Sequence, residues 1–214
     1  MTTEIELKYL ISANHEDNDL VADKITAMLK AQNRTFTLDR KQLNNNYFDN
    51  KDLALRKMDI GLRIRGVDQE YEQTVKTAGK VVGCLHQRPE YNVSLEGNHL
   101  DLLLFPKHIW PEHVDVVKLQ KSLQVIFNTD FSRQTWLITQ ENCVIELALD
   151  RGEIFTSPNV ETLAINEIEI ELVSGEEQAL FALAEQLMTV IQMKPGKLSK
   201  AARGYALYHQ RDRT

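Results

Sequence analysis

Polar and apolar residues alternate along several segments of the chain, and this period of two is typical of half-buried β-strands. The first alternating segment covers residues 3–11, TEIELKYLI. Further segments are GLRIRG, YEQTVKTAG, LHQRPEYNV, SRQTWLI, CVIELALDRGEI and INEIEIELV, several of them joined by turns that contain Gly. So many strands in one chain favour a β-barrel or a β-sandwich over a doubly wound α/β sheet.

Apolar residues at helical spacing predict helices between some of these strands. A helix is predicted at about residues 17–31 from the spacing of Leu20, Val21, Ile25, Met28 and Leu29. A short helical piece is predicted near residues 52–58. The more helical stretch at about 99–121 is interpreted as an insertion between strands.

The last third of the chain carries a helix-start signal after its final long strand. Ser174 and Glu177 have the spacing of a capping box, in which Ser is the N-cap and Glu the third helical residue. They predict a helix whose apolar face consists of Leu180, Leu183, Ala184, Leu187 and Ile191. Residues 194–196, KPG, are expected to end it, and a final helix is predicted to begin at Ser199.

Charged residues share one face of most predicted strands. The sets are Glu4, Glu6 and Lys8; Arg63 and Arg65; Glu72, Thr74 and Lys76; His86, Arg88 and Glu90; Glu146 and Asp150; and Glu167, Glu169 and Glu171. A solvent-facing meander covered on one side is one interpretation. Rows of carboxylates repel one another, however, and are an unusual way to make a surface. A closed barrel with the apolar faces outward, under helices, and the charged faces in the lumen is therefore predicted.

A lumen of this composition indicates phosphoryl chemistry. Carboxylates in a partly desolvated space are costly unless cations neutralise them, and Mg²⁺ binds through a few carboxylates, waters and phosphate oxygens. Arginine forks match phosphate oxygens, and lysines act as point charges. An acid-rich side for a metal and a base-rich side for an anion are thus expected to face each other.

Composition adds limits to this interpretation. The 214 residues carry a net charge of −6 and are 43% hydrophobic, which is typical of a soluble globular protein. We expect one domain, no nucleic-acid surface, no secretory signal and no membrane span, and therefore a cytoplasmic location. Cys84 and Cys143 lack the spacing of a zinc site, and a disulfide framework is not indicated.

The ordered motifs resemble those of the CYTH, or triphosphate tunnel metalloenzyme, superfamily. They are EIELK at 4–8, NNNYFDN ahead of LRIR at 62–65, Lys76 of TVK, HQRPEY at 86–91 and the EIEIEL near the end. HQRPEYNV, NTDFSRQTW, ALDRGEI and LSKAARGY look most like the CYTH portion of bacterial inorganic triphosphatases. The resemblance implies an α+β fold, an eight-stranded antiparallel closed β-barrel or triphosphate tunnel with helices packed outside.

The resemblance also implies an activity and a set of site residues. The activity is metal-dependent hydrolysis of inorganic triphosphate to pyrophosphate and phosphate, with Mg²⁺, or alternatively Mn²⁺, as cofactor and triphosphate or polyphosphate as ligand. The implied metal residues are Glu4, Glu6, Glu90, Asp150, Glu169 and Glu171. The implied substrate-binding residues are Lys8, Arg63, Arg65, Lys76, Arg88, Arg133 and Lys200. Glu4, Glu6, Lys8, Lys76 and Arg133 are the implied catalytic residues, and Glu146, Glu167 and Arg203 are further candidates.

Some residues of these motifs are given other interpretations. Lys200 and Arg203 lie near a predicted helix N-terminus, which favours an anion site. Tyr47 and Phe48 are interpreted as packing residues, and His86 as a strand residue and not a metal ligand. A single CYTH domain is expected over residues 1–214, with a core at about 2–209 and without the helical CHAD domain that many bacterial relatives carry.

Three alternatives to inorganic triphosphatase activity stay open. Thiamine triphosphatase and a class IV type of adenylate cyclase each need room for an organic group beside the triphosphate. A polyphosphate-binding module without turnover belongs to a different class. The carboxylates argue against that module, because a polyanion binder gains nothing from them unless a metal is part of the complex.

Overall fold

The computed structural model describes residues 2–11, 18–140, 142–156 and 161–211. The strands in this part of the chain are β1 Thr2–Ile11, β2 Thr35–Asp49, β3 Gly61–Val67, β4 Glu70–Lys76, β5 Lys80–Val82, β6 Leu85–Leu95, β7 Gln124–Gln140, β8 Cys143–Phe155, β9 Thr162–Ser174 and β10 Met193–Pro195. The α-helices are α1 Asn18–Ala31, α2 Ala54–Lys57, α3 Val116–Ser122, α4 Gln178–Met188 and α5 Lys200–Arg211.

Eight of these strands close into an antiparallel barrel. Their order is β1-β9-β8-β7-β2-β3-β4-β6, and β6 pairs back with β1. The closing register places Glu4 opposite Arg88 and Glu6 opposite His86. The short strands β5 and β10 add to the outer ends of β6 and β1. The predicted closed barrel with helices outside is therefore confirmed.

Alternation along the strands sends apolar side chains outward under the helices. One core packs α1 and α4 against the outer faces of β1, β7, β8 and β9, and Trp136 at its centre donates a hydrogen bond from Nε1 to Thr26 Oγ1 at 3.0 Å. A second core lies under α2, α3 and two 3-10 turns at Leu102–Leu104 and Lys107–Ile109. The charged faces are thereby left to point into the lumen.

The third apolar cluster packs α5 beside the lumen. Phe127 stacks on Tyr47, with ring centroids 4.5 Å apart, and meets Tyr205 of α5 edge-on. A Cβ at Gly204 would lie 2.2 Å from the Phe127 ring, so this position of α5 admits only glycine without a shift. The helix approaches closely enough for Lys200, in its first turn, to line the lumen.

Most predicted elements are present, and one predicted boundary is wrong. Ser174 does not cap a helix, because it is the last residue of β9, where it pairs with Val144. Glu177 makes no capping hydrogen bond, since its Oε1 accepts from Gln87 Nε2 at 2.7 Å, and α4 begins at Gln178. Ser199 does cap α5, accepting from the Ala202 N–H at 3.1 Å.

Other differences concern the ends of elements. The helix predicted from residue 17 begins at Asn18 in the described chain, and residue 17 lies outside the described residues. The insertion contains only one short α-helix, α3, besides its 3-10 turns. Among the described helices, none is both long and apolar enough to cross a membrane.

Candidate functional site in a charged lumen

The barrel encloses a cavity of about 250 Å³ that is lined almost entirely by polar side chains. Twelve of the thirteen residues predicted for the site line it: Glu4, Glu6, Lys8, Arg63, Arg65, Lys76, Arg88, Glu90, Arg133, Glu169, Glu171 and Lys200. Asp150 is fully buried behind this lining. The strand faces that were predicted to carry the site thus meet in one cavity, but the lining residues differ in their ion-pair and hydrogen-bond partners.

One group of carboxylates is neutralised by the protein's own cations. This paired cluster consists of Asp150, Glu167 and Glu169 together with Lys8, Arg133, Lys200 and Arg203. Arg133 donates from Nε and Nη2 to the two Asp150 oxygens at 2.7 and 2.6 Å. Lys200 Nζ lies 2.6 Å from Asp150 Oδ2 and 2.9 Å from Glu169 Oε1.

The remaining cations complete the cluster. Lys8 is 1% exposed, bonds to Glu169 and lies 3.6 Å from Glu167 Oε1. Arg203 bonds to Glu167 Oε2. Burial opposes ionisation of Glu169, yet the charges of Lys200, Lys8 and Arg133 hold its pKa well below the usual range. Arg133 and Lys200 likewise hold the pKa of Asp150 below its usual value against the effect of burial.

A second group of carboxylates has fewer positive partners: Lys76 bonds to Glu4, Lys8 lies 3.5 Å from Glu6, and Arg133 Nη1 lies 3.8 Å from Glu146. This acidic wall consists of Glu4, Glu6, Glu146 and Glu171, and Glu171 faces Glu6 on β1 and Glu146 on β8 in register. Glu171 forms no ion pair or side-chain hydrogen bond with any described residue. Burial, together with the charges of Glu4 and Glu6, raises the pKa of Glu171 to about 8.

The pKa of Glu6 is raised by burial, as is that of Glu171. Glu6 is 7% exposed, and its one ion pair within the described chain is with Lys8 at 3.5 Å. Burial raises the pKa of Glu6 to about 7, although Lys8 opposes the shift. Glu6 and Glu171 therefore hold protons near neutral pH when no metal is bound, because burial and neighbouring carboxylates outweigh the positive charge around them.

The opposite side of the cavity has an excess of positive charge. This basic wall consists of Arg63, Arg65 and Lys76 on β3 and β4. Arg65 donates from Nε to Asn45 Oδ1 at 2.9 Å and forms no ion pair with a described residue. Burial and the charges of Arg63 and Arg133 lower the pKa of Arg65 to about 9, so it remains charged at neutral pH without a counter-ion.

Lys76 and Glu90 connect the two walls at one side of the cavity. Lys76 Nζ bonds to Glu4 Oε2 and lies 3.0 Å from Glu90 Oε2. Arg63 Nη2 lies 3.8 Å from Glu90 Oε1. Burial disfavours the charged form of Glu90, but Lys76 and Arg63 lower its pKa to about 2. Glu90 is therefore an ionised partner of the basic wall, and it shares Lys76 with Glu4 of the acidic wall.

Arg88, predicted to bind the substrate, lines the cavity and also bonds to the backbone of two turns. Its guanidinium donates to the carbonyl oxygens of Thr77 at 2.8 Å, Asp59 at 3.3 Å and Lys76 at 3.4 Å. These bonds hold two turns together at the edge of the cavity, so most of its donors are committed to backbone. His86 Nε2 lies 3.2 Å from the Gly196 carbonyl oxygen, and its surroundings are those of a hydrogen-bonded strand residue, as predicted.

Sequence reasoning missed part of the lining. Tyr47, predicted to pack, does stack on Phe127 but also lines the cavity beside Arg63. Asn45 is 1% exposed, orients Arg65 and donates from Nδ2 to Thr129 Oγ1 at 3.0 Å. Both positions follow from the alternation of β2, but the run NNNYFDN does not itself mark which residues face inward.

Among the described residues, one group of three carboxylates has ligand oxygens close enough together to hold a metal ion. Oxygens of Asp150, Glu167 and Glu169 lie within 4.8 Å of one another. The ammonium and guanidinium groups of the paired cluster already occupy the space beside these oxygens. The carboxylates of the acidic wall are spaced more widely, but they too offer only oxygen donors, and the raised pKa values of Glu6 and Glu171 record missing positive charge.

A closed antiparallel barrel with an acidic wall facing a basic wall defines a charged-tunnel class of protein. The model of the CYTH domain family matches residues 2–205, and the chain belongs to this family. The family resemblance found in the motifs is therefore confirmed.

Relatives with known names or structures agree with this family. A Haemophilus influenzae protein named inorganic triphosphatase is 38% identical over 211 residues, which are 97% of this chain and 55% of that protein. The chain thus spans about half the length of this relative.

Solved structures share the fold at low sequence identity. A Hippeastrum protein, described as an adenylyl cyclase with a dominant triphosphatase activity, superposes with a TM-score of 0.64 at 18% identity, covering 97% of this chain and 95% of its own. A mimivirus capping enzyme triphosphatase gives 0.51 at 12% identity, covering 89% and 90%.

Proposed function

We propose that the chain hydrolyses inorganic triphosphate to pyrophosphate and phosphate with the help of a divalent cation, Mg²⁺ or Mn²⁺. The observation that carries this proposal is the pairing of opposite deficits across one small cavity. Arg65 lacks a counter-ion on the basic wall, and Glu171 lacks a cation partner on the acidic wall. A polyanion accompanied by a metal ion supplies both missing charges at once.

The acidic wall fits a metal ion in its donor chemistry. Glu4, Glu6 and Glu171 would hold the ion, with Glu146 beside them. The charge of Glu169, which belongs to the paired cluster, adds to the rise in the pKa of Glu6 that burial causes. When bound, a divalent cation would neutralise phosphate oxygens and lower the pKa of a bound water. Glu90 and Asp150 are less favoured as ligands, because each has both a lysine and an arginine partner, whereas Glu4 pairs with Lys76 alone among the described residues.

The protein's own residues would divide the remaining work. Arg63 and Arg65 would bind phosphate oxygens through their guanidinium forks, and Lys76 would add a point charge to the same anion. Lys8, Arg133 and Lys200 would balance charge where the substrate approaches the paired cluster. Carboxylates of the acidic wall would accept a hydrogen bond from the attacking water and orient it. Catalysis would thus consist of positioning and electrostatic stabilisation.

The size of the cavity favours an inorganic substrate. At about 250 Å³ it lies just below the usual range of about 300–1,000 Å³ for organic ligand sites. Its lining offers no apolar face on which a thiazole or adenine ring could stack, apart from Tyr47. Inorganic triphosphate is therefore proposed ahead of thiamine triphosphate and ATP, whose organic groups would have to remain outside.

The experiment is a comparison of substrates and metals. Phosphate release is measured from triphosphate, ATP and thiamine triphosphate, each with Mg²⁺, with Mn²⁺ and with chelator. We expect kcat/KM for triphosphate to exceed the other two by at least about 100-fold, with no turnover in chelator. Equal kcat/KM for ATP would contradict the substrate assignment. Tight triphosphate binding without phosphate release under any metal would support the non-catalytic binding module instead.

A further inference from the structure

Thr74 is a polar residue of the lumen that the charge pattern does not account for. It lies in the middle of β4, is fully buried, and its Oγ1 has no hydrogen-bond partner among the described residues. It lines the same cavity as the basic wall. A buried hydroxyl without a partner is uncommon in folded proteins and requires an explanation.

Two other buried polar side chains of the barrel, Gln73 and Thr129, have hydrogen-bond partners. Gln73, the preceding residue, is also fully buried, and its amide donates to the Asp101 carbonyl at 2.6 Å and accepts from the Asp101 N–H at 3.1 Å. Thr129 is 1% exposed, and its hydroxyl accepts from Asn45 Nδ2 at 3.0 Å. The unpaired state of Thr74 is therefore a local property of its position and not of buried threonines in this barrel.

The neighbours of Thr74 across the sheet are hydrogen-bond donors that line the cavity. Arg63 lies directly opposite on β3, and Asn92 directly opposite on β6. Arg63 Nε is likewise buried without a hydrogen-bond partner among the described residues. A guanidinium, a hydroxyl and an amide thus form a row across three strands, and two adjacent members of the row have unused donors.

We propose that the Thr74 hydroxyl binds a phosphate oxygen of the substrate beside Arg63, as a substrate-binding residue of the basic wall. This inference rests on the proposed function. Rotation about the Cβ–Oγ1 bond aims the O–H, and rotation about the Cα–Cβ bond moves Oγ1 among the staggered positions, so the donor can turn toward the ligand without a backbone shift. An anion that approaches Arg63 then satisfies two buried donors that the ligand-free protein leaves unpaired.

The test replaces the hydroxyl by a methyl group of similar size. Thr74→Val removes the donor, Thr74→Ser keeps it, and Thr129→Val is the matched control, because it removes a hydroxyl that has a partner. Two quantities are measured for each protein: the thermal midpoint without ligand, and the affinity for triphosphate in chelator, where turnover is prevented. Steady-state kcat and KM with Mg²⁺ are measured alongside them.

We expect Thr74→Val to keep or raise the ligand-free midpoint while binding triphosphate on the order of 10-fold more weakly, the effect of losing one hydrogen bond to a charged group. Thr74→Ser should retain wild-type affinity, and Thr129→Val should lower the midpoint because Asn45 loses its acceptor.

Two results would overturn the inference while leaving the proposed function intact. The first is wild-type affinity in Thr74→Val, and the second is a fall in its ligand-free midpoint as large as that of Thr129→Val, which would mean a structural partner. The wild-type protein is measured first: if it neither binds nor hydrolyses triphosphate, the proposed function itself fails, independently of Thr74.

Discussion

The paired cluster and the acidic wall both include carboxylates of β8 and β9, yet the electrostatic states of Glu169 and Glu171 are opposite. Glu169 and Glu171 are two residues apart on one face of β9. Positive partners hold the pKa of Glu169 well below its usual range against burial, whereas burial and negative neighbours raise the pKa of Glu171 to about 8. Two positions on the same face of one strand thus differ: the Glu169 carboxylate has positive partners, and the Glu171 carboxylate has none among the described residues.

The difference teaches that close carboxylates alone do not define a metal site. Oxygens of Asp150, Glu167 and Glu169 are mutually close, but Lys8, Arg133 and Lys200 complete their charge. Such a cluster fixes α5 and β1 to the barrel wall. Within the acidic wall, Glu171 has no positive partner among the described residues, and this deficit marks the wall as a candidate binding site.

The largest expected effect comes from breaking the paired cluster. Asp150→Asn keeps the size of a fully buried side chain but removes the charge that faces Arg133 and Lys200. Breaking a buried ion pair from one side should cost about 3–5 kcal/mol of unfolding free energy. The measurement is urea unfolding in chelator.

An exposed ion pair supplies the control for this variant. Asp39 and Lys41 are 3.0 Å apart, with side chains 55% and 52% exposed. Asp39→Asn should change the unfolding free energy by less than about 1 kcal/mol. A loss in Asp150→Asn no larger than that in Asp39→Asn would show that the paired cluster does not hold the barrel together.

The second-largest expected effect is a gain in unfolding free energy, in contrast to the loss expected for Asp150→Asn. Glu171→Gln removes an unpaired charge from the acidic wall, so the metal-free protein should gain about 1–2 kcal/mol at pH 8.5, a value reduced to allow for solvent screening. Turnover of triphosphate should fall about 100-fold, since a charge that holds the metal is lost. Thermal midpoints in chelator and activity against Mg²⁺ concentration are measured on the same preparations.

Two outcomes for Glu171→Gln would remove the contrast between the two regions. A loss of stability comparable to that of Asp150→Asn would place Glu171 among the structural carboxylates. Unchanged Mg²⁺ dependence with unchanged turnover would place it outside the site.

The sequence predicted the barrel and the inward faces because both follow from alternation, which is local. Glu4, Glu6 and Lys8 must share a face of β1 whatever their surroundings, and the ordered motifs then specify the family. The wrong capping-box prediction also came from a local signal. Ser174 and Glu177 have the correct spacing, but Ser174 pairs with Val144 in the sheet and Glu177 accepts a hydrogen bond from the distant Gln87.

The hydrogen-bond and ion-pair partners of the lumen residues could not be predicted from the alternation of the strands. Whether Arg88 binds an anion or the carbonyls of two turns depends on how Asp59 and Thr77 approach it. The division of Glu167, Glu169 and Glu171 between two regions depends on where α5 delivers Lys200 and Arg203. The contacts of Arg88 and the division of these carboxylates depend on how the barrel closes and how α5 packs on it, and the spacing of residues along the sequence does not specify either.

The smallest effect is the pH dependence that separates the two regions. Glu171 has a pKa of about 8 in the folded protein, against about 4.5 when unfolded. Between these values the folded state binds a proton that the unfolded state does not, so stability falls as pH rises from about 4.5 to 8. Glu171→Gln lacks this proton, and its advantage over wild type in chelator should therefore be near zero at pH 5 and grow steadily to pH 8.5.

Saturating Mg²⁺ should remove most of this pH dependence from the wild-type protein, because a metal ion that binds the carboxylate displaces the proton. The measurement is the difference between the variant and wild-type midpoints at half-unit steps of pH, with and without Mg²⁺. Taking the difference cancels the titration of groups that do not interact with Glu171, whereas Glu4, Glu6 and Glu146, whose charges raise its pKa, still contribute. A difference that stays constant from pH 5 to 8.5 would mean that Glu171 is already ionised in the metal-free protein, and the electrostatic contrast between the acidic wall and the paired cluster would be lost.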